Sequence, residues 1–514
     1  MGGKSVSLAK GEKSKGEKPK GEKPKGKKST GARFRDLSLW FVLVAIVSLY
    51  FADIFLYQPD PWEEFTRIGW GMVTPFWPDA NELLTSALHT VSFALLGVAV
   101  SAVLGVLLAI WFHWRVVRVF SAVIRSVHEI FWGLLFMQVF GLSALTGLLA
   151  IIIPFAGIFA KVFSDIFHQQ SSATVDTLAG SSRLSRFFYG WIPQAWPAMR
   201  SYIRYRFECA LRSSAILGFI GLPTLGFHLE TAFRQGDYSE AAAVFWVFLL
   251  LIGTVRFWFY KKLLPAYLLG AVFMLPEMPP VNASFVWQFF TQDLWPSPLL
   301  NGDLPGAMSW YGNVLADEVG PALIQTIAIT QAALVLSGVM ALVWYPFASR
   351  WLVGRYYWVG RFKLLVLRSV PELMLAYLFM LLFGPSALPA IFALALHNGG
   401  LIAFLLANHS QDASAQQRQD SPSGLARYFY QDLPQRYPAF LALLFYRWEV
   451  IMRESAMMGV LGIATLGFYV DSAFEEIRFD KAFFLILVAA ALNVIVDSLS
   501  RRLCKAAGLK TPRM

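Results

Sequence analysis

Charge is what this sequence has least of. Only 15% of its 514 residues are Asp, Glu, Lys or Arg, while 56% are hydrophobic; soluble domains carry about 25% charged residues. With a mean hydropathy of +0.52, the balance excludes an ordinary soluble domain and points to a chain made mainly of membrane-spanning helices. Cysteine is also scarce. The two present, Cys209 and Cys504, give no disulfide framework and read as free thiols. The seven His show no metal-ligand spacing, and His128 followed directly by Glu129 is not a zinc-binding helix motif. No metal, no other cofactor and no catalytic constellation of nucleophile and base is expected.

The net charge of +11 is not spread over the chain. Residues 1–36 hold ten Lys and two Arg against three Glu and one Asp, so +8 of the total sits there. This tail repeats Gly-Glu-Lys-Pro-Lys and cannot bury a core, so a disordered segment is expected. It reads either as a solvated linker that helps fix orientation or as an anchor to anionic membrane lipid; no nucleic-acid partner is expected. Gly21 to Lys27 imitates a phosphate-binding loop, but position 28 is Lys rather than Ser or Thr, and no strand precedes it. Nucleotide chemistry must come from another subunit.

Spanning helices of about 20 apolar residues are expected near 37–57, 83–112, 117–140, 144–164, 199–222 and 240–259. A second set is expected near 263–276, 320–347, 360–383, 387–407, 439–466 and 480–500. The first keeps a basic flank without a small-residue cleavage site, so it reads as an anchor. Residues 276–320 contain five acidic residues and no Lys or Arg, and 58–82 contain five acidic residues and only Arg67. Basic residues instead mark the alternate loops: Arg115 and Arg118, Lys261 and Lys262, Arg350, Arg355 and Arg361, and the C-terminal Arg501 to Arg513. Basic loops stay cytoplasmic, which places both termini inside and makes the number of spans even, namely twelve. The expected organisation is a tail (1–36), a first half (37–262, core 80–260), a second half (263–503, core 320–503) and a C-terminal tail (504–514).

The halves repeat one another at a spacing of about 241 residues. Arg125-Ser126-Val127-His128-Glu129 returns as Arg368-Ser369-Val370-Pro371-Glu372, and Arg206-Phe207-Glu208 as Arg447-Trp448-Glu449. Arg212 returns as Arg453, Gly218 as Gly459, and Thr224-Leu225-Gly226-Phe227 returns unchanged from Thr465. Two six-span halves that each start in the cytoplasm share one orientation, so their symmetry axis runs along the membrane normal and a pathway lies between them.

The segment 168–198 is polar and too long for a turn. It contains Asp176, Gly180, Arg183 and Pro193. A short helix, Gly180, then a second helix ending at Pro193 would project a knob able to pass motion from a partner; the equivalent stretch 411–437 contains Ser421 and Pro434. On these residues the chain resembles the binding-protein-dependent ABC transporter permeases, whose coupling loop carries a Gly followed thirteen residues later by Pro, as Gly180 and Pro193 do. It is most similar to the phosphonate-import permeases. Arg368-Ser369-Val370-Pro371-Glu372 matches that family's Arg-Ser-x-Pro-Glu. Tyr446-Arg447-Trp448-Glu449, Arg453 and Gly459-Val460-Leu461-Gly462 match its Tyr-Arg-x-Glu, Arg and Gly-x-x-Gly. Tyr205-Arg206-Phe207-Glu208, Arg212, Gly218 and Gly221 repeat the set. The chain departs from the family in three respects: Thr174 replaces an acidic residue, Ser421 replaces the coupling Gly, and Leu222-Pro223-Thr224 and Ile463-Ala464-Thr465 replace Ala-Gly-Gly. The resemblance implies an all-α permease with both halves fused in one chain, in the inner membrane of a bacterium. Its partners would be two cytoplasmic ABC ATPase subunits and a periplasmic substrate-binding protein, and its cargo phosphonate, phosphite or phosphate. An ion-gradient-driven carrier with parallel six-span halves is the alternative; a membrane-embedded enzyme is the third class.

The intramembrane charges carry the rest. Arg447 and Arg453 lie roughly 12 and 21 Å along a helix starting near Ala439, where an ion must be paired or face water. Glu208 with Arg212 and Glu449 with Arg453 are four apart and can pair locally, as can Arg125 with Glu129 and Arg368 with Glu372. The first two pairs, with Arg206 and Arg447, read either as locks between the halves or as a pathway in which Arg212 and Arg453 offset the charge of an oxyanion. The last two read as gates or helix anchors near the cytoplasmic face.

Overall fold

The computed structural model describes residues 30–170, 180–412 and 424–509. Those residues form helices and no strand. Asp176, Ser421 and most of the basic tail lie outside the described residues.

In the first half the principal helices are α1 (Thr30–Phe51), α2 (Pro61–Val73), α3 (Ala80–Ile110), α4 (Arg115–Ser126), α5 (Glu129–Phe140) and α6 (Ala144–His168). They are followed by α7 (Ile192–Ile216), α8 (Leu225–Gln235) and α9 (Tyr238–Gly253). The second half contributes α10 (Leu264–Phe273), α11 (Gly320–Ala348), α12 (Tyr357–Ser369), α13 (Glu372–Phe383) and α14 (Ala387–Asp412). It ends with α15 (Leu433–Ser455), α16 (Leu466–Glu475) and α17 (Phe479–Ala507). Among the described residues six helices are long and apolar enough to cross a membrane, and ten crossings result if each of four bent pairs counts as one. The remaining two expected spans are α9 and α10, of 16 and 10 residues. At 1.5 Å per residue these reach roughly 24 and 15 Å, short of a hydrocarbon core of about 30 Å.

The bends have local causes. Pro371 disfavours the helical region for Val370, which is extended at φ −73°, ψ 127°, and α12 meets α13 across a 92° bend. In the first half His128 takes the proline's place. Its Nδ1 accepts the Ile130 N–H at 3.2 Å, capping α5, and α4 meets α5 at 90°.

Pro193 starts a transmembrane helix instead of ending a knob. A π-helical turn, Arg186–Trp191, runs directly into α7, and Tyr428–Asp432 runs into α15 the same way ahead of Pro434. Proline lacks an N–H and its ring collides with the carbonyl one turn back. Widening that turn removes both problems without breaking the helix.

The repeat is repeated in space. α3 packs on α6 and α7, as α11 packs on α14 and α15. After α7 and α15 the chain turns through Gly221 (φ +92°) and Gly462 (φ +83°), then folds α8 and α16 back against the turn. A Cβ on Gly226 would sit 1.7 Å from the Ala215 carbonyl oxygen, and one on Gly467 1.6 Å from that of Ala456. The unchanged Thr-Leu-Gly-Phe thus marks a crossing that tolerates only glycine. Thr90 Oγ1 accepts the Leu225 N–H at 3.0 Å, and Thr326 Oγ1 accepts that of Leu466 at 2.9 Å.

The first helix of each half packs on the other half: α1 lies on α11, and α10 on α3. Ser38 hydrogen-bonds Tyr437 at 2.6 Å, Gln325 donates to the Phe51 carbonyl at 2.8 Å, and Phe41 packs on Phe445 and Trp448. The halves are therefore interlocked.

Candidate functional site

A polar cavity opens where the two helix breaks face each other across the pseudo-twofold axis. The N-termini of α5 and α13 supply His128, Glu129 and Glu372, and α6 and α14 supply Phe155 and His397. The α7 wall presents Tyr202, Tyr205, Arg206, Cys209, Arg212 and Ser213; α15 presents Tyr446, Arg447, Arg453 and Glu454. About 90 Å³ is open to the centre of a water-sized sphere, against about 10–15 Å³ for one water by the same measure.

The arginines reach across the axis. Arg212 donates to the Arg368 carbonyl at 3.0 Å, and its counterpart Arg453 donates to the Arg125 carbonyl at 3.1 Å. Each closes a carbonyl that a helix break leaves without an intrahelical donor. Arg125 itself pairs with Glu449 and with Asp497 of α17, both at 2.7 Å. Asn493 donates to the Ser126 carbonyl at 2.7 Å. The first-half break is thus held by two helices of the second half.

None of the four expected local pairs forms among the described residues. Between Arg125 and Glu129, and between Arg368 and Glu372, the helix is broken by about 90°, so four-residue spacing no longer places two side chains on one face. Within the unbroken α15, Glu449 turns away from Arg453 to meet Arg125. In a low-dielectric setting a close, charge-assisted contact to Arg125, which spends one Nη on Glu449 and the other on Asp497, outweighs the local one. Arg368 lies over the Phe404 ring at 4.2 Å. Glu372 meets His397 Nε2 at 2.8 Å, while His397 Nδ1 faces the Val370 carbonyl at 3.0 Å. Glu129 has His128 at 3.4 Å and the Ser213 hydroxyl at 3.4 Å.

The remaining expected residues fall elsewhere. Glu208 is half-buried on α7. Gly180 is exposed, and Arg183 opens the short helical turn Arg183–Ser185. Two cavity residues, His397 and Tyr202, were not singled out from sequence, nor were Asn398 and Asp497, which hold Arg447 and Arg125. The usable signal was their position. His397 and Asn398 interrupt the apolar run of α14, and Asp497 that of α17, and intramembrane polar residues rarely lack a role.

Over 474 residues the chain is 26% identical to the phosphate-import permease protein PhnE of Mycolicibacterium smegmatis, covering 84% of this chain and 86% of that protein. Over 214 residues it is 30% identical to the phosphite transport system permease protein PtxC of Stutzerimonas stutzeri, covering 78% of it. The chain belongs to the phosphonate- and phosphite-import permease family. The putative cryptic phosphonate transport permease PhnE2 of Escherichia coli is 27% identical over 112 residues, 92% of its length. PtxC matches 39% of this chain and PhnE 84% of it, so the PhnE match runs over both halves. No family model and no solved structure matches the chain. With its apolar helices, membership of this family makes the chain a multi-pass membrane permease.

Proposed function

We propose that this chain is the permease of an ATP-driven importer for phosphonate, phosphite or phosphate, with the cavity between its halves as the route. The observation that carries this reading is the cavity itself. Its lining sets four arginines against three glutamates between duplicated halves in a chain of this family, where an oxyanion needs net positive charge and a low-dielectric wall. Two cytoplasmic ATPase subunits would grip the segments that lead into α7 and α15, with Gly180 and Arg183 ahead of α7 and Pro193 and Pro434 in the first turns of the two helices. Asp176 and Ser421, outside the described residues, belong to the same segments. A rigid helix running from such a contact into the cavity wall transmits motion directly. A substrate-binding protein on the far side would dock on the acidic stretches 58–82 and 276–320. With basic loops inside, both termini lie in the cytoplasm of a bacterium and the chain in its inner membrane.

One observation favours an ion-gradient-driven carrier instead: the broken helices at Val127 and Val370, the kind of backbone such carriers use for binding. Purification of the tagged chain in mild detergent separates the readings. Co-purifying ATPase subunits, with phosphate or methylphosphonate uptake in proteoliposomes that requires ATP, are the expected result. A lone chain that transports without ATP selects the carrier.

A further inference from the structure

The duplicated motif places Arg206 and Arg447 at equivalent positions, yet their surroundings differ. Arg447 is 7% exposed. Its Nε donates to Asn398 Oδ1 at 2.5 Å and its Nη2 to Glu454 at 3.3 Å, while Asn398 Nδ2 donates to the other Glu454 oxygen at 3.0 Å. The three side chains form a closed ring in which the positive charge is already balanced. At the positions equivalent to Asn398 and Glu454 the first half carries Phe155 and Ser213.

Arg206 consequently has no acid. Its Nε donates to the Tyr202 hydroxyl at 3.2 Å, and its guanidinium lies 4.8 Å from the Phe155 ring centroid. Among the described residues no carboxylate lies within salt-bridge distance of it, and its two Nη groups have no hydrogen-bond partner. A guanidinium braced on an aromatic face, with two N–H edges unspent, matches the paired oxygens of a tetrahedral oxyanion. Tyr205 and Tyr446, 38% and 36% exposed, add hydroxyl donors from the two walls.

We infer that the cavity holds a single anion seat on the first-half wall. Arg206, with Tyr205 and Tyr446, binds the phosphoryl or phosphonyl oxygens, and Glu454 keeps Arg447 from forming a second seat. This rests on the import reading above. The cavity lining has four Arg against Glu129, Glu372 and Glu454, a formal +1 with neutral histidines. Transport demands a site that admits its ion and also lets it go. Two free arginines would hold a dianion too long, so quenching one copy of a duplicated pair is a direct way to keep release fast.

The test is equilibrium binding of inorganic phosphate and of methylphosphonate to the full chain with its ATPases in lipid nanodiscs. Arg206→Met should weaken binding about tenfold or more, the factor implied by one lost charge-assisted hydrogen bond, with partial recovery in Arg206→Lys. The charge-balanced double variant Arg447→Gln with Glu454→Gln should stay within about threefold, since only the already neutral ring is removed. Glu454→Ser, which gives the second half the residue of the first, should tighten binding severalfold and slow turnover; a gain of this kind cannot arise from misfolding. Equal losses in Arg206→Met and the double variant, or unchanged affinity in Glu454→Ser, would overturn the single seat while leaving the import reading intact. A wild-type chain that binds neither anion would sink both.

Discussion

Arg125 shows what a buried charge in this protein depends on. It holds Glu449 and Asp497, all three largely shielded from solvent, and its own carbonyl accepts from Arg453. Removing one member of such a buried pair strands the others, at a cost of about 3–5 kcal/mol. Arg125→Met should therefore lower the thermal midpoint in detergent markedly, and adding Glu449→Gln should recover part of the loss. The exposed pair Arg35–Asp36 is the control, because such pairs are worth about 0–1 kcal/mol; Arg35→Met should leave the midpoint almost unmoved. A comparable drop in both variants would show that burial is not what gives the Arg125 cluster its weight. The sequence announced that Arg125, Arg212, Arg447 and Arg453 needed partners. It could not name them, since every partner lies on another helix apart from Glu454 beside Arg447 and Cys209 Sγ, to which Arg212 donates at 3.4 Å.

At the scale of elements, the duplicated turn after α7 and α15 is the most constrained piece of backbone. Gly226→Ala and Gly467→Ala would each drive a methyl into a carbonyl oxygen, and such overpacking costs about 1–3 kcal/mol or more. Gly253, which has nothing within 4 Å of an added Cβ, should accept Ala neutrally or with a small gain in helix propensity. Folded yield by size exclusion distinguishes the two cases, and equal yields would refute the close crossing. This element was legible in advance: an identical tetrapeptide with glycine at the same offset signals one geometry used twice. The π turns ahead of Pro193 and Pro434 were not. A proline in a polar stretch ordinarily ends a helix, and only the continuous helix beyond it reveals that the backbone widened instead.

For the whole molecule the decisive feature is the exchange of first helices. α1 covers α11 and α10 covers α3, so neither half is closed without the other. Residues 1–262 and 263–514 expressed as separate chains should co-purify when made together. Residues 263–514 alone should aggregate, because the α11 face that α1 covers is left open. A monodisperse second half by itself would contradict the interlock.

By itself the sequence determined the solvent this protein lives in, its all-helical class, its twofold repeat and its family. Those follow from composition and from motifs held at fixed spacing, which are local properties of a chain. The tertiary structure decided which charges meet, which helix covers which half, and which of two equivalent arginines stays free. Burying an ion in a medium of low dielectric makes a partner obligatory, but the sequence states only that demand. The partner is chosen by helices hundreds of residues apart that a 90° break brings face to face.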